Sequence, residues 1–193
     1  MIIDISQEIF SCKVFPGDPA PVRYVLSSME DGAVCNLTAV SMCAHNGTHV
    51  DAPFHFIQDG RTIDRVSLEY FAGPCWVSRH DGLVTGEDAA VILSEARKTD
   101  AEKRILIAGK ATVTEEAAKV FADQGIWLIG NESQTVGPED APKRVHEILL
   151  GCGAVLLEGI VLTDVAEGMY MLHAAPLNLG GSDGAPCRAY LIR

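Results

Sequence analysis

The sequence predicts an α/β fold, a single compact unit over residues 1–193 with a mixed sheet and flanking helices. From Thr85 onward, short apolar runs alternate with longer amphipathic stretches. That is the pattern of strands joined by crossover helices, and it implies a parallel component. Before Thr85 the chain reads as short strands broken by Pro, Gly and Asp clusters. No repeat, low-complexity tract or linker marks a boundary.

Ile2 to Ile5 is apolar and reads as a first strand. Phe15-Pro16-Gly17-Asp18-Pro19 is a rigid turn, with two prolines fixing φ. Val22 to Met29 and Ala33 to Cys43 read as strands joined through Glu30-Asp31-Gly32, a hairpin turn. Pro74 to Val77 suggests another strand. Thr85 is placed to cap a helix from Gly86 to about Lys98, with Glu87 and Asp88 at its positive end. Arg104 to Ala108 reads as a buried strand. Thr114 caps a second helix that begins with Glu115 and Glu116 and stops before Gly125. Ile126 to Ile129 is the next strand, Pro142 to Leu150 a third helix ended by Gly151, and Ala154 to Leu157 a further strand. Ala185 to Arg193 is expected to return as a final strand.

The chain carries 15 Lys+Arg against 26 Asp+Glu, a net charge of −11. Such a surface repels nucleic-acid phosphates and anionic lipid heads, so neither is an expected partner. No apolar run reaches the roughly 18 residues of a membrane span. Met1 to Phe10 lacks the basic and apolar regions of a signal peptide. A cytoplasmic location is therefore expected. The six cysteines, Cys12, Cys35, Cys43, Cys75, Cys152 and Cys187, form no C-x-x-C pair. They are expected to be free and mostly buried thiols.

The chemistry concentrates in His45-Asn46-Gly47-Thr48-His49-Val50-Asp51-Ala52-Pro53-Phe54-His55-Phe56. Imidazole and carboxylate are the usual ligands of zinc, manganese or iron at hydrolytic sites. In a fully extended strand, His45 and His49 would stand about 13 Å apart at ~3.3 Å per residue, too far to share one ion. In a regular helix Asp51 would point away from His49, and Pro53 opposes a long helix. The segment must therefore curl, and Gly47 is the residue free to allow it. His49 and Asp51 can share one face of a short extended piece. His45, His49 and Asp51 thus suit three ligands converging from a bent loop. His55 is then available as a general acid or base. Glu158 follows an apolar strand, where an unpaired carboxylate is costly, so a metal accounts for it economically. Phe15, Phe54 and Phe56 are candidate apolar substrate walls, with plain core packing the equal alternative for Phe54 and Phe56. His80 and His173 lack a partner pattern and read as structural. Arg188 reads as structural too, with Asp183 or a substrate anion its candidate partner.

The run His-x-Gly-Thr-His-x-Asp-Ala-Pro-x-His-Phe, His45 to Phe56, resembles the signature of the cyclase-like metal-dependent hydrolases. That family includes bacterial kynurenine formamidases and isatin hydrolases. Asp4-Ile5-Ser6, Phe15-Pro16-Gly17-Asp18, Ala175-Pro176-Leu177 and Asp183 to Arg188 resemble its other segments, in the same order. The resemblance implies a compact unit of the swivelling β/β/α type, usually dimeric. It implies that His45, His49 and Asp51 bind a first divalent ion. Asp51 and Glu158 would bridge to a second, completed by His146, so one or two ions are expected, with zinc ahead of manganese. His55 would carry the proton, and Phe15, where the formamidases typically have a tryptophan, would meet a small-molecule substrate. Gly130 to Thr135 departs from the usual Asp- and Ser-containing version. The implied reaction is hydrolysis of a formamide, amide or lactam C–N bond. Metal-assisted isomerisation or lysis, and non-catalytic metal or small-molecule binding, are the alternatives.

Overall fold

The computed structural model describes all 193 residues. Its centre is a nine-stranded mixed sheet in the order β1-β13-β11-β5-β7-β9-β10-β4-β12. The strands are β1 (Ile2–Asp4), β4 (His49–Asp51), β5 (Ala72–Arg79), β7 (Arg104–Ala108), β9 (Leu128–Asn131), β10 (Val155–Glu158), β11 (Gly168–His173), β12 (Gly184–Pro186) and β13 (Tyr190–Ile192). The run β5-β7-β9-β10 is parallel and the rest pair antiparallel. Two small sheets stand apart: β2 (Val22–Ser27) with β3 (Leu37–Ser41), and β6 (Gly82–Val84) with β8 (Ala111–Val113).

The parallel strands β7, β9 and β10 are apolar apart from Arg104, Asn131 and Glu158 at their ends, because both of their faces are covered. Leu106 and Ala108 on β7, Leu128 on β9, and Val155 and Leu157 on β10 point into one core. There they meet Ile5, Val50, Val77, Leu172 and Leu191. Ile105, Ile107, Ile129 and Leu156 point the other way, onto the helices. These are α1 (Gly86–Arg97), α2 (Glu115–Asp123) and α3 (Lys143–Gly151), which contribute Leu93, Phe121 and Leu149. Thr85 and Thr114 cap α1 and α2 as the sequence predicts. Thr85 completes a reciprocal capping box with Asp88, an arrangement worth roughly 1 kcal/mol.

The sheet is curled until its two ends meet. β12 and β13 lie at or near opposite ends of the strand order, yet only Cys187, Arg188 and Ala189 separate them. At ~3.5 Å per residue that connection spans at most about 14 Å. Backbone bonds run across the seam, from Ile5 N–H to the Ala189 carbonyl (3.0 Å) and from Val161 N–H to the Ile5 carbonyl (2.9 Å). The final strand expected over Ala185 to Arg193 is therefore two strands. Pro186 ends the first, Cys187 N–H still donates to the Thr48 carbonyl at 3.0 Å, and the chain then crosses to pair with β1.

Other differences have equally local causes. The strand expected at Ile126 to Ile129 lies at Leu128–Asn131, because the N–H groups of Ile126 and Trp127 are taken by the Phe121 and Lys103 carbonyls. β11 escaped the sequence reading; its alternation is masked by the exposed methionines Met169 and Met171. The cysteines are free as expected but not mostly buried. Only Cys75 is; Cys35 sits in the exposed β2–β3 connection and Cys152 just beyond α3. Arg188 pairs with Asp4 (Nη2–Oδ2 2.5 Å) and not with Asp183. No helix is long and apolar enough to cross a membrane.

Candidate metal centre

The site lies where β4 is flanked by β10 on one side and β12 on the other. Strand periodicity puts His49 and Asp51 on one face while Val50 enters the core. Glu158 is directly opposite His49 across the β10–β4 pair, so it shares that face. Gly47 supplies the bend before β4 with φ 64°, turning His45 back over the strand. His45 Nδ1 then donates to Asp51 Oδ1 at 2.8 Å. His55 follows through a short 3-10 turn, Pro53–His55, and its ring stacks on His45 at 4.1 Å. His146 projects from the first turns of α3.

The structure thus gathers the expected metal ligands, the expected proton carrier His55 and Phe15. Phe15, His45, His49, His55, His146 and Glu158 line one cleft of about 240 Å³, and Asp51 lies beneath them. Phe56 also lines it, packing against His55 and His146 with ring centroids 4.7 Å from each. Phe54 does not line it and points out, 40% exposed, because a 3-10 turn sends neighbouring side chains in different directions. His80 bonds the Leu83 carbonyl and His173 stacks on Tyr190, both away from the cleft.

The orientation of the four histidines is the informative feature. Each has one ring nitrogen tied to an outer acceptor. His49 Nδ1 donates to the Gly47 carbonyl at 3.0 Å, and His146 Nδ1 to the Pro142 carbonyl at 2.9 Å. His45 Nε2 and His55 Nδ1 both face Asp183 Oδ2, at 2.9 and 3.1 Å. The other nitrogen of each turns inward. His49 Nε2 is 3.4 Å from Asp51 and 3.6 Å from Glu158. His146 Nε2 is 3.2 Å from Glu158 and 3.6 Å from Asp51, and His55 Nε2 is 4.0 Å from Asp51. An outer acceptor that fixes the tautomer of an inward-facing imidazole is the habit of metal-ligating histidines.

Asp183 is the functional residue that sequence reasoning passed over. The sequence offers it as a partner for Arg188 and as the first residue of the Asp183-to-Arg188 segment, with no role of its own. The signal available was its place in the Asp-Gly-x-Pro segment; its contact with His55 spans 128 residues.

The donor set fits a divalent cation. Asp51 and Glu158 are buried, and their ion-pair partners are all histidines, with no lysine or arginine. Ligand atoms of His49, Asp51 and Glu158, and those of His45, Asp51 and His55, lie within 4.8 Å of one another. Without a cation the histidines must carry the positive charge. Burial disfavours the charged form of His45, but bonds to Asp183 and Asp51 outweigh it and push its pKa up to about 11. The same contest at His49, with Asp51 and Glu158 prevailing, gives about 9. Desolvation would raise Asp51, but His45 and His49 hold it well below the usual carboxylate range.

These shifts have a sign. Both imidazoles lie above their ordinary 6.5, so their stabilisation is full below pH 6.5 and is lost as pH rises toward 9 and 11. The metal-stripped protein is expected to fall in Tm steadily from pH 6.5 to 9. Metal-loaded protein, whose ligands are already deprotonated, should fall less. Thermal scans with and without chelator check this; a flat Tm for the stripped protein contradicts it.

A family model, Cyclase, described as "Putative cyclase", matches residues 3–138. The chain belongs to that family. It is 33% identical to the kynurenine formamidase of Salinibacter ruber, over 98% of this chain and 96% of that one. The kynurenine formamidase of Bacillus cereus (strain ATCC 14579) is also 33% identical, with 98% and 96% covered. A solved "potential metal-dependent hydrolase with cyclase activity" superposes with TM-score 0.82 at 28% identity, covering 99% of this chain and 96% of that one. Isatin hydrolase A of Labrenzia aggregata shares the fold, with TM-score 0.83 at 22% identity over 99% and 93% of the two chains.

Proposed function

We propose that this protein is a metal-dependent hydrolase that cleaves the C–N bond of a formamide, amide or lactam. The observation that carries the reading is the set of four imidazoles, each fixed from outside and turned toward one buried pair of carboxylates. The kynurenine formamidases among its relatives support the bond type.

His45, His49 and Asp51 would hold a first ion, and Asp51, His146 and Glu158 a second. One or two ions suit this set; zinc is the first expectation and manganese the next, since imidazole and carboxylate accept both. When bound, such an ion lowers the pKa of water toward ~7 and polarises a carbonyl. The rest belongs to the chain. His55 directs Nδ1 at Asp183, which leaves Nε2 to take the proton of the attacking water and return one to the leaving nitrogen. Asp183 holds that ring in orientation, as carboxylates do for catalytic imidazoles. Phe15 and Phe56 present an apolar wall to a small-molecule substrate. His55 favours hydrolysis over simple metal binding, because a storage or binding site needs no proton carrier. A cytoplasmic homodimer is the expected working form, as the family resemblance implies.

The test is elemental analysis of purified protein, then a panel of formamides, linear amides and lactams, N-formylkynurenine among them. Bound divalent metal and turnover of at least one of these is expected. A protein without metal, inactive after addition of zinc or manganese, overturns the reading.

A further inference from the structure

The segment from Ser6 to His45 has no core. None of its residues is buried, and none belongs to either apolar cluster on the two faces of the main sheet. Its one sheet is the β2–β3 hairpin, joined through the 3-10 turn Met29–Asp31. A lone two-stranded hairpin is marginally stable in water. This one is nonetheless apolar. Eight large apolar side chains between Val22 and Val40 stand 43–98% exposed, with Val34 the most exposed. They occupy both faces: Val22 and Tyr24 project from one, Val25 and Val40 from the other. Exposed apolar surface of that extent marks an interaction site.

Charge, strand edges and area each point to a second copy of this chain as the occupant. From Pro19 to Ala44 the only charged residues are Arg23, Glu30 and Asp31, in a chain of net charge −11. Two such chains repel least where their surfaces are nearly neutral, whereas a cationic partner would be drawn to the acidic remainder. β2 and β3 pair only with each other, so each keeps a free edge, and neither carries the proline or lysine that commonly guards an edge. The same edge on a second copy can pair with it antiparallel across a twofold axis. At roughly 100 Å² for a whole apolar side chain, the eight present on the order of 500 Å². In an interface about 60% apolar that corresponds to ~800 Å² per copy, the standard size for stable association.

We propose that the β2–β3 arm is a dimerisation surface, seated on a second copy of this chain. This names the contact for the homodimer expected above and does not depend on the hydrolase chemistry. The arm leaves the body just after Phe15 and Asp18, which line the cleft, and returns just before His45. Cys43 Sγ donates to Asp18 Oδ2 at 3.8 Å, which ties its two ends together. Seating the arm therefore steadies one wall of the cleft.

Sedimentation equilibrium of the full chain at about 10 μM tests this. The wild type is expected at twice its chain mass of 20.7 kDa. Val25→Asp puts a charge into the contact and should weaken association at least about 100-fold, leaving a monomer. Val91→Asp, at a similarly exposed valine on α1, should stay dimeric. A wild-type monomer, alone or with another protein of the host seated on the arm, overturns the proposal. So does a dimeric Val25→Asp, or dissociation by Val91→Asp in its place. Hydrogen exchange of the wild type needs no variant. Covered by a partner, the β2 and β3 amides should exchange at least about 100-fold slower than free peptide; rates near those of free peptide overturn the proposal even if Val25→Asp fails to fold. In Val25→Asp that protection should fall, together with that of the Asp18 N–H, which bonds the Phe15 carbonyl at 3.1 Å. A dimer that hydrolyses no amide would sink the hydrolase reading alone, and an active monomer would sink this proposal alone.

Discussion

Asp51→Asn is expected to strip the protein of its metal and lower kcat/KM on an amide substrate by on the order of 10³-fold or more. The side chain has the same shape, so the fold should persist; what disappears is the charge. Asp51 meets the inward nitrogens of all four histidines, between 2.8 and 4.0 Å. It also sits in the middle of a three-strand ladder, opposite Leu156 and Gly184, so no neighbouring acid can replace it. Metal content by elemental analysis and kcat/KM by direct assay check the prediction. A variant that keeps both its metal and its rate would remove Asp51 from the ligand set.

His55→Ala is expected to behave differently. It should retain metal while kcat falls by about 10²- to 10⁴-fold, the usual share of a positioned proton carrier. His55 is more exposed than His49 or His146, and of its two nitrogens only Nε2 approaches Asp51, at 4.0 Å. Asp183→Asn should cost less, about 10- to 100-fold, since it disturbs the ring's orientation without removing it. In the double variant the two losses should not add, because Asp183 acts through His55. Wild-type kcat in His55→Ala would dismiss the proton role and leave the metal site standing.

The parts of this site that the sequence disclosed are those set by local geometry. Two-residue periodicity puts His49 and Asp51 on one face, Gly47 is the single residue that can bend His45 back over them, and Pro53 stops a helix. Those constraints act within a dozen residues. Glu158 was legible only as a costly acid after an apolar strand; its register opposite His49 comes from sheet order. Asp183 was hidden because its partners are 138 and 128 residues away in sequence and meet it only once β12 pairs with β4. The fold followed the same division. Capped helices and buried parallel strands were readable, whereas the splitting of the last segment depends on a seam that exists only after the sheet closes.

That seam bears on how the molecule assembles. β13 pairs with β1, so residues near the two ends of the chain, Ile2 and Ile192, become neighbours, and β12 pairs with β4 from the far side. Contacts of such long sequence separation are the slowest to form, because the entropy of closing the loop is lost before any pairing rewards it. The helices and the parallel strands between them can gather from shorter range. The histidine cluster cannot, since its floor is the strand that the closing segment must reach. Refolding should therefore pass through a stage with helical structure in place and no competent site, and metal affinity should be the last property to return.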